Sequence, residues 1–396
     1  MKKYISILMA ALMVAMTGFY SCKKDNTKPN PEELPLGQGD GTVTNPFKVI
    51  TVQDLQRVGT GEVGPGGFKW ERNLNYQQIA DIDLSVIQNW TPLCNGYNKP
   101  FSGTYNGAGK TISNLKIIGN GREIGLFANV SGTVRNVRLT NIDISGNDYI
   151  GGIAGMTTKD SDALIDHCYV NIKSIFGEPG QGHSNVGGIV GWNYSTVTNC
   201  IVTGENFRVK GIHNVGGIAG LNYRIIKNCY TSVNVRGYSD IGGIVGCNSP
   251  NAIVQYCYAT GNITADSYNT GGIVGTNHSQ GFVQNCVALS SELMKNENTV
   301  IRYIGRICPE PYNLSDNYAR SDMKLWYFTN SAVPSSTDNK SIHGANVSAA
   351  DYCGANSGTW WKNTAGFPDA QWSFAPNRLP WLNGFDGLTQ NPTIIP

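Results

Sequence analysis

Short apolar runs punctuated by glycine recur along the middle of the chain. The string Gly-Gly-Ile-Xaa-Gly occurs five times, starting at Gly151, Gly187, Gly216, Gly242 and Gly271, with steps of 26 to 36 residues. The apolar residues around it are mostly β-branched, and such residues favour strands. Paired glycines destabilise a helix interior by about 1 kcal/mol each, which excludes helical repeats of similar length. Each unit therefore predicts two or three short strands joined by tight turns.

A second motif follows each copy of the first: isoleucine or valine, two further residues, and then cysteine. The cysteines of this motif are Cys168, Cys200, Cys229, Cys257 and Cys286. An asparagine precedes the cysteine position in three copies and in an earlier degenerate one. The three-residue step does not match the two-residue period of a strand, so a bend is expected to turn both side chains inward.

One such unit cannot bury its apolar side, so the units are expected to stack with parallel strands about 4.8 Å apart. Stacking predicts internal ladders of Ile or Val, of Cys, and of the Asn that precedes it. The cysteines are expected to be buried and reduced, because stacked side chains give poor disulfide geometry. Disulfides, which an exported protein could form, are the alternative. The paired glycines are expected at corners where backbone packs on backbone.

The glycine strings resemble GLUG-motif repeats, which occur in bacterial surface and secreted proteins, including some immunoglobulin A peptidases. Four earlier segments resemble the opening coils that commonly precede these repeats, namely Ala80–Leu84, Trp90–Pro92, Phe101–Gly107 and Thr111–Leu115. The resemblance covers about Asn45 to Ala319. It implies an all-β, right-handed parallel β-helix (β-solenoid), here of about seven coils. It also implies a Gram-negative bacterial surface lipoprotein, and no enzymatic activity, because no catalytic residue belongs to the repeat.

Both ends of such a stack need covering, because an open end exposes strand edges. Thr51, followed by Asp54, predicts a short N-terminal helical cap in which Thr51 is the N-cap residue. The stretch after Ser321 holds five of the eight tryptophans and predicts an aromatic-rich C-terminal cap. Its segment from Phe374 to Leu382 is expected to pack on the last coils.

The first residues have the order of an export signal: positive charge, an apolar run, and small or polar residues before Cys22. The apolar run from Tyr4 to Tyr20 is shorter than the roughly 20 residues of a membrane-spanning helix. Cys22 is the predicted lipidation site, with an ordinary cleavage site and a chance cysteine as the alternative. The charged, proline-rich residues after it predict a flexible tether. The predicted organisation is a signal peptide (1–21), a tether (22–45), a GLUG-repeat β-helix (46–320) and a C-terminal capping segment (321–396).

The charge balance and the motifs of the chain limit the kinds of ligand, cofactor and reaction that are expected. The chain has 30 Lys and Arg residues against 28 Asp and Glu, without a basic stripe, so nucleic-acid binding is not expected. It contains no Cys-Xaa-Xaa-Cys pair, and neither a metal nor another cofactor is expected. The His-Glu-Xaa-Xaa-His and Gly-Xaa-Ser-Xaa-Gly motifs are absent. The acids of the repeat region do not recur at one repeat position, although a stacked solenoid can bring distant acids together as a catalytic pair.

Trp360 and Trp361 are the candidate binding residues. In a strand one of them would face outward and could hold a sugar ring; the alternative is that both fill the core of the cap. Together these features predict a non-catalytic outer-membrane lipoprotein on the cell surface, acting as an adhesin or a glycan- or protein-binding β-helix. Its expected partners are the outer membrane, through the lipid on Cys22, and a glycan or host protein. The alternatives are a polysaccharide lyase or glycoside hydrolase of β-helix type, and a purely structural envelope protein.

Overall fold

The structure, a computed structural model, describes residues 38–96, 98–177, 184–204, 207–296 and 304–390. The chain winds through ten coils, and each coil gives one strand to a ten-stranded parallel sheet, sheet A. The strands of sheet A, after which the coils are numbered 1 to 10, are Phe47–Val49, Asn75–Gln78, Thr104–Asn106, Thr133–Arg135, Leu164–Asp166, Thr196–Thr198, Ile225–Lys227, Ile253–Gln255, Phe282–Gln284 and Leu314–Ser315.

Three further sheets complete the walls of the solenoid. Sheet B takes one or two strands from each of coils 2 to 9 and four from the chain after the coil 10 strand of sheet A. Its strands are Ile82–Asp83, Thr111–Ser113, Lys116–Ile117, Arg138–Gly146, Tyr169–Gly177, Ile201–Gly204, Phe207–Lys210, Tyr230–Thr231, Asn234–Gly237, Tyr258–Ala259, Ile263–Ala265, Val287–Ala288, Glu292–Lys295, Tyr318–Arg320, Lys324–Tyr327, Asn330–Ala332 and Ala345–Val347. Sheet C follows with Arg122–Ile124, Asp148–Ile150, Val186–Gly187, His213–Gly216, Ser239–Gly242, Thr270–Gly271 and Ile304–Gly305. Sheet D closes the coil with Phe127–Val130, Ala154–Thr157, Val190–Asn193, Ala219–Asn222, Val245–Asn248 and Val274–Asn277.

The predicted parallel β-solenoid is confirmed, but it has ten coils where about seven were expected. Coils 1, 2 and 10 carry no recognisable copy of the glycine string, so a count of repeats misses them. They nevertheless pair in register with their neighbours: Phe47 lies opposite Tyr76, and Val283 lies opposite Leu314. Apolar residues at the inward positions are therefore sufficient to continue the stack without the corner glycines.

Branched apolar residues form a ladder on the inner side of sheet A. The residues at this position in coils 4 to 8 pair in register and are fully buried, namely Val134, Ile165, Val197, Ile226 and Val254. Burying one such side chain stabilises the fold by about 1.5–3 kcal/mol. The repetition of this gain in every coil holds the stack together.

The predicted bend lies at the residue before each cysteine. Asn199, Asn228 and Asn285 each have a φ angle of 51°, in the left-handed region that asparagine tolerates better than most residues. The turn leaves the side chains on either side of it, such as those of Val197 and Cys200, both fully buried. The unusual three-residue step in the sequence thus has a backbone cause.

The ladder of buried free thiols is present. Cys168, Cys200, Cys229, Cys257 and Cys286 are all free and fully buried. In coil 10 Asn317 takes the cysteine position, where its Oδ1 accepts the backbone N–H of Cys286 at 3.0 Å. The Nδ2 of Asn317 donates to the carbonyl of Val283 at 2.8 Å. A residue that can satisfy backbone groups therefore ends a column of small apolar ones.

The glycine strings form the corners between sheets C and D, as expected. At Gly216 an added Cβ would lie 2.2 Å from the carbonyl oxygen of Ala219 and 2.7 Å from that of Ile244 in the next coil. Both atoms belong to the backbone, so neither can move away cheaply. The corner consequently accepts only a residue without a side chain.

The asparagine ladder was expected beside the cysteines, and that prediction is wrong. His167 and Tyr256 interrupt the column before the cysteines, and Asn199 donates instead to Oδ1 of Asp166, at 2.8 Å. The continuous ladder lies at the end of sheet D, six residues after the first glycine of the last four strings. It consists of the buried residues Asn193, Asn222, Asn248 and Asn277, whose successive amide bonds measure 2.8, 2.9 and 2.8 Å.

The N-terminal end carries the predicted helix. Helix α1 spans Val52–Arg57, with Thr51 as its N-cap. The Thr51 hydroxyl accepts the N–H of Asp54 at 3.1 Å, and the Asp54 carboxylate accepts the N–H of Thr51 at 3.0 Å. This reciprocal pair is a capping box, which fixes the start of the helix against coil 1. A short 3-10 turn, Pro65–Gly67, follows it.

At the other end a buried arginine satisfies backbone oxygens. Gly271 pairs with Gly305, so Arg306 stands where the second glycine of the string would be. It is fully buried, and its guanidinium donates to the carbonyls of Arg320 and Gly344, each at 3.1 Å. Burial lowers the pKa of Arg306 to about 10. At this repeat position a buried polar side chain therefore replaces the glycine and satisfies the backbone carbonyls at the end of the solenoid.

The C-terminal residues 349–390 form a strap, and they do not pack only on the last coils as expected. The strap contains helix α2, Ala349–Cys353, helix α3, Ser357–Asn363, and an antiparallel pair of strands, Trp372–Ser373 and Trp381–Leu382. It runs along the outside of sheet B from coil 10 back to coil 4.

Tyrosines that project from sheet B dock the strap. The hydroxyl of Tyr318 in coil 10 donates to the carbonyl of Thr364 at 3.2 Å, and that of Tyr258 in coil 8 donates to Pro380 at 2.8 Å. Arg138 in coil 4 donates to the carbonyl of Asp386 at 2.5 Å. The expectation failed because the tyrosine after the cysteine faces outward and needs an apolar cover, which the aromatic-rich segment supplies.

Candidate functional site

A groove of about 740 Å³ lies on the outside of the solenoid along sheets C and D. Its lining comes from six successive coils, beginning with Arg122 in coil 3 and ending with His278 in coil 8. The groove is therefore elongated along the solenoid axis. Neither of the tryptophans nominated from the sequence lines it.

Side chains along sheet D point alternately inward and outward, and the outward ones form one wall of the groove. In the strand Val190–Asn193 the side chain of Asn193 points inward, and that of Trp192 points outward. The outward position is in register from coil to coil, so that Trp192 lies between Met156 and Leu221. The residues between the last glycine and the asparagine in three successive repeats, Trp192, Leu221 and Cys247, therefore line the groove.

Four aromatic rings form a row, and three of them, Tyr149, Trp192 and Tyr223, line the groove. The ring centroid of Trp192 lies 4.6 Å from that of Tyr149 and 5.0 Å from that of Tyr194. Tyr194 and Tyr223, which belong to successive coils, are stacked at 4.8 Å with their planes 23° apart. This separation equals the strand spacing of about 4.8 Å, because each ring follows the same position of its coil. In the described ring contacts Tyr223 ends the row, and it is 39% exposed.

Charged and amide side chains line the wall along sheet C, to which Tyr149 also belongs. Arg122 donates to Asp148 at 3.1 Å and to the hydroxyl of Tyr149 at 2.7 Å, and its guanidinium lies 4.7 Å from the centre of that ring. Oδ1 of Asp148 accepts the side-chain amide of Asn185 at 2.8 Å. Asn185 in turn accepts that of Asn214, also at 2.8 Å. The wall therefore has polar groups repeated at the coil spacing.

Electrostatic effects are modest in the groove. Burial, together with the negative charge of Asp148, raises the pKa of Tyr149. Burial is also the main cause of the raised pKa of Tyr194. Both phenols thus remain neutral hydrogen-bonding groups at physiological pH. Rings beside neutral amides provide hydrophobic contact and hydrogen bonds, without an activated nucleophile.

The carboxyl group that comes nearest to a general acid lies apart from the described lining of this groove. Burial raises the pKa of Glu310 to about 7, and the nearby Asp240 adds to the shift. Oε2 of Glu310 accepts the backbone N–H of Asn277 at 3.0 Å. Asp240 is held by the side chains of Asn269 and Thr276. These contacts give both acids structural roles, Asp240 in coil 7 and Glu310 in coil 9.

The structure separates the two tryptophans predicted as binding residues. They lie in helix α3 rather than in a strand, so the expected in-and-out alternation is wrong. Trp361 is fully buried, and its Nε1 donates to the carbonyl of Tyr352 at 2.8 Å. Trp360 is half-buried and packs edge-on against Tyr318 at 5.3 Å. Both residues serve the docking of the strap.

Other sequence-based expectations concern lipid and metal. Cys22, the predicted lipidation site, lies outside the described residues, as do the signal peptide and most of the tether. No helix in the described part of the chain is long and apolar enough to cross a bilayer. Among the same residues, no three His, Cys, Asp or Glu side chains are grouped in a way that could hold a metal ion.

A pattern in the sequence could have identified the groove residues. In two successive repeats an aromatic residue follows the ladder asparagine, giving Trp192-Asn193-Tyr194 and Leu221-Asn222-Tyr223. Two-residue alternation would have assigned these flanking positions to the outside once the asparagine was recognised as internal. Trp360 and Trp361, the binding residues predicted from the sequence, lie instead in the tryptophan-rich C-terminal region.

Comparison with known proteins agrees with this architecture. The model of the GLUG motif matches residues 182–207 and 237–264. Halomucin of Haloquadratum walsbyi is 28% identical over 39% of this chain, a region that spans 2% of halomucin. The crystal structure of a "putative immunoglobulin A1 protease" from Bacteroides ovatus is similar with a TM-score of 0.57 and 22% identity, over 87% of this chain and 94% of that one. The chain thus carries GLUG motifs in its middle part and has the fold of a parallel β-solenoid.

Proposed function

We propose that this protein is a non-catalytic glycan-binding module displayed on the cell surface, and that the groove along sheets C and D is its binding site. The observation that carries the proposal is the aromatic lining of the groove, formed by Tyr149, Trp192 and Tyr223, together with the amide groups of Asn185 and Asn214. Sugar rings present apolar C–H faces and a rim of hydroxyls. A groove lined by aromatic surface and by amide groups matches both.

Attachment to the outer membrane belongs to the same proposal. A lipid on Cys22 and the tether of residues 22–45 hold the solenoid away from the bilayer, with its long side free to meet a polymer. Metabolic labelling with a fatty acid tests the anchor. The parent should be labelled and Cys22→Ala should not, whereas equal labelling of both would refute lipidation at this residue.

Binding is tested with the purified mature protein on a glycan array, followed by calorimetry with whichever glycan is retained. Trp192→Ala and Tyr223→Ala should each weaken binding, because they remove groove surface. Tyr268→Ala is the matched control, since Tyr268 is 48% exposed and does not line the described groove. Equal effects of all three variants would contradict the assignment of the site.

The lyase or hydrolase alternative predicts a different experimental result. Glu310 is its best candidate acid, because burial raises its pKa to about 7 near Asp240. An enzyme should release reducing ends or unsaturated products, and Glu310→Gln should abolish their release. Product formation with turnover would overturn the binding proposal. If the protein neither binds nor cleaves any glycan, the structural alternative is favoured.

A further inference from the structure

The groove has a repeat distance of its own, and that distance restricts the ligand. Residues of coils 3 to 8 line it, so its length is roughly 24 Å at the strand spacing of about 4.8 Å per coil. Asn185 and Asn214 offer the same chemical group one coil apart. Trp192 and Leu221 present apolar side chains at the same step along sheet D. A ligand that lies along the axis meets equivalent groups at each step.

The repeat distance distinguishes between classes of extended polymer. A peptide strand advances about 3.3 Å per residue, and its side chains repeat on one face at twice that distance. Neither period matches the coil. The sugar rings of an extended β-linked polysaccharide advance by nearly the coil spacing, so each ring can stand opposite one rung. An α-linked chain that coils into a helix cannot stay in contact with successive rungs.

The charges in the groove are balanced. In its described lining the formally charged side chains are Arg122 and Asp148, and they pair with each other at 3.1 Å. An acidic polysaccharide would need cations that are free to meet its carboxylates or sulfates. A basic one would need unpaired acids. The balance favours an uncharged chain that is held by hydroxyl or acetamido groups.

Open groups at both ends of the groove fit such a chain. Asn120 in coil 3 and His278 in coil 8 are exposed and line the groove. Tyr223 lies between them and presents the last ring of the row. A long chain would reach all three residues, whereas a short one would be held mainly at the ring.

We infer that the groove binds an uncharged, β-linked, extended polysaccharide whose chain lies parallel to the solenoid axis, with one sugar opposite each coil. This inference rests on the proposed glycan-binding function and specifies the class and direction of its ligand.

The test uses the full mature chain and four series of oligosaccharides of increasing length, measured by calorimetry. The β-1,4-linked glucose and N-acetylglucosamine series are the probes. The α-1,4-linked glucose and β-1,4-linked glucuronic acid series are the controls for shape and charge. Affinity for a probe series should rise with each added sugar and level off near five or six, the number of coils in the groove.

Variants of the protein then show where the polysaccharide lies in the groove. Tyr223→Ala should weaken the binding of all lengths by about tenfold, since it removes one aromatic contact. Asn120→Ala and His278→Ala should weaken only the long oligosaccharides. Both residues are exposed, so loss of folding is not expected to confuse the result.

The outcomes separate the two proposals. Better binding of the α-linked or acidic series, or an affinity that does not change with length, would overturn this inference while leaving a glycan-binding protein. Binding to no glycan on the array would overturn the proposed function itself.

Discussion

Asn222 lies one coil above Asn193, and its side-chain oxygen accepts the Asn193 amide at 2.8 Å, inside a wall with no exposure to solvent. The amide of Asn222 donates in turn to Asn248 at 2.9 Å. Each member of this ladder therefore satisfies one neighbour and is satisfied by the other. The coils are joined by side chains as well as by their strands.

Replacing Asn222 by alanine should destabilise the protein by about 2–5 kcal/mol, because it leaves buried partners in two coils unsatisfied. The free energy of unfolding can be measured with a chemical denaturant. Asn120→Ala, which changes an exposed residue, is the control and should change stability by less than about 0.5 kcal/mol. A similar loss in both variants would mean that the ladder contributes nothing special.

The cysteine ladder should resist thiol reagents in the native protein. Burial raises the pKa of Cys168 and of Cys200 well above the usual range, so little reactive thiolate forms. Counting thiols before and after denaturation should show that Cys168, Cys200, Cys229, Cys257 and Cys286 react only after unfolding. Disulfides among these five in a non-reducing peptide map would refute the ladder.

Cys229→Asp should prevent stable folding, because it buries a charge that has no partner. Cys229→Ala should cost about 1 kcal/mol, since it removes only one small apolar group. Circular dichroism and thermal melts distinguish the two. A folded, stable aspartate variant would show that water reaches this column.

Gly216→Ala should destabilise the fold strongly, by more than about 3 kcal/mol, because its Cβ would meet backbone oxygens of its own coil and the next. Gly119→Ala is the matched control, since nothing lies within 4 Å of the position of its Cβ. Thermal melts of the two variants should differ widely. Tolerance of alanine at Gly216 would mean that the coils can move apart at this corner.

Stability should depend on pH through Glu310. Burial raises its folded pKa to about 7 from the ordinary 4.5, so its contribution is fully present below pH 4.5 and is lost as the pH rises through 7. The Tm of Glu310→Gln should therefore fall less than that of the parent between these values. Glu62→Gln, at an exposed position, should follow the parent curve. Parallel curves for all three proteins would contradict the burial of this carboxyl.

Sequence reasoning recovered the features that recur. Three features repeat at a fixed position in each unit: the glycine string, the branched apolar residue and the cysteine. From them the stack, its corners and the bend before Cys200 or Cys229 could be inferred. The capping box at Thr51 was also legible, because it depends only on residues close in sequence. The count of about seven coils was too low because coils 1, 2 and 10 lack the glycine string: stacking constrains only the inward positions, and several apolar residue types fill them.

The candidate groove was harder to predict because it depends on positions that vary from coil to coil. Trp192 and Tyr223 belong to different repeats, and only the stacking register brings them to one wall. The position of the strap was hard to predict for a similar reason. In the sequence its partners Tyr258 and Tyr318 resemble core residues, and only the bend before them shows that they face outward. Trp360 and Trp361 were nominated for being adjacent, but their helix and its packing direct them to the strap's own contacts.

The strap changes how the molecule should respond to force. A solenoid whose coils touch only their neighbours can peel from an end, one coil after another. Here Asp386 is held by Arg138, 248 residues away in sequence, while Thr364 of the same strap is held by Tyr318. A pull on the C-terminus must shear these contacts from coils 4 to 10 before any of those coils can unwind. The strap thus acts as a mechanical brace, and the braced coils should yield together at one threshold load.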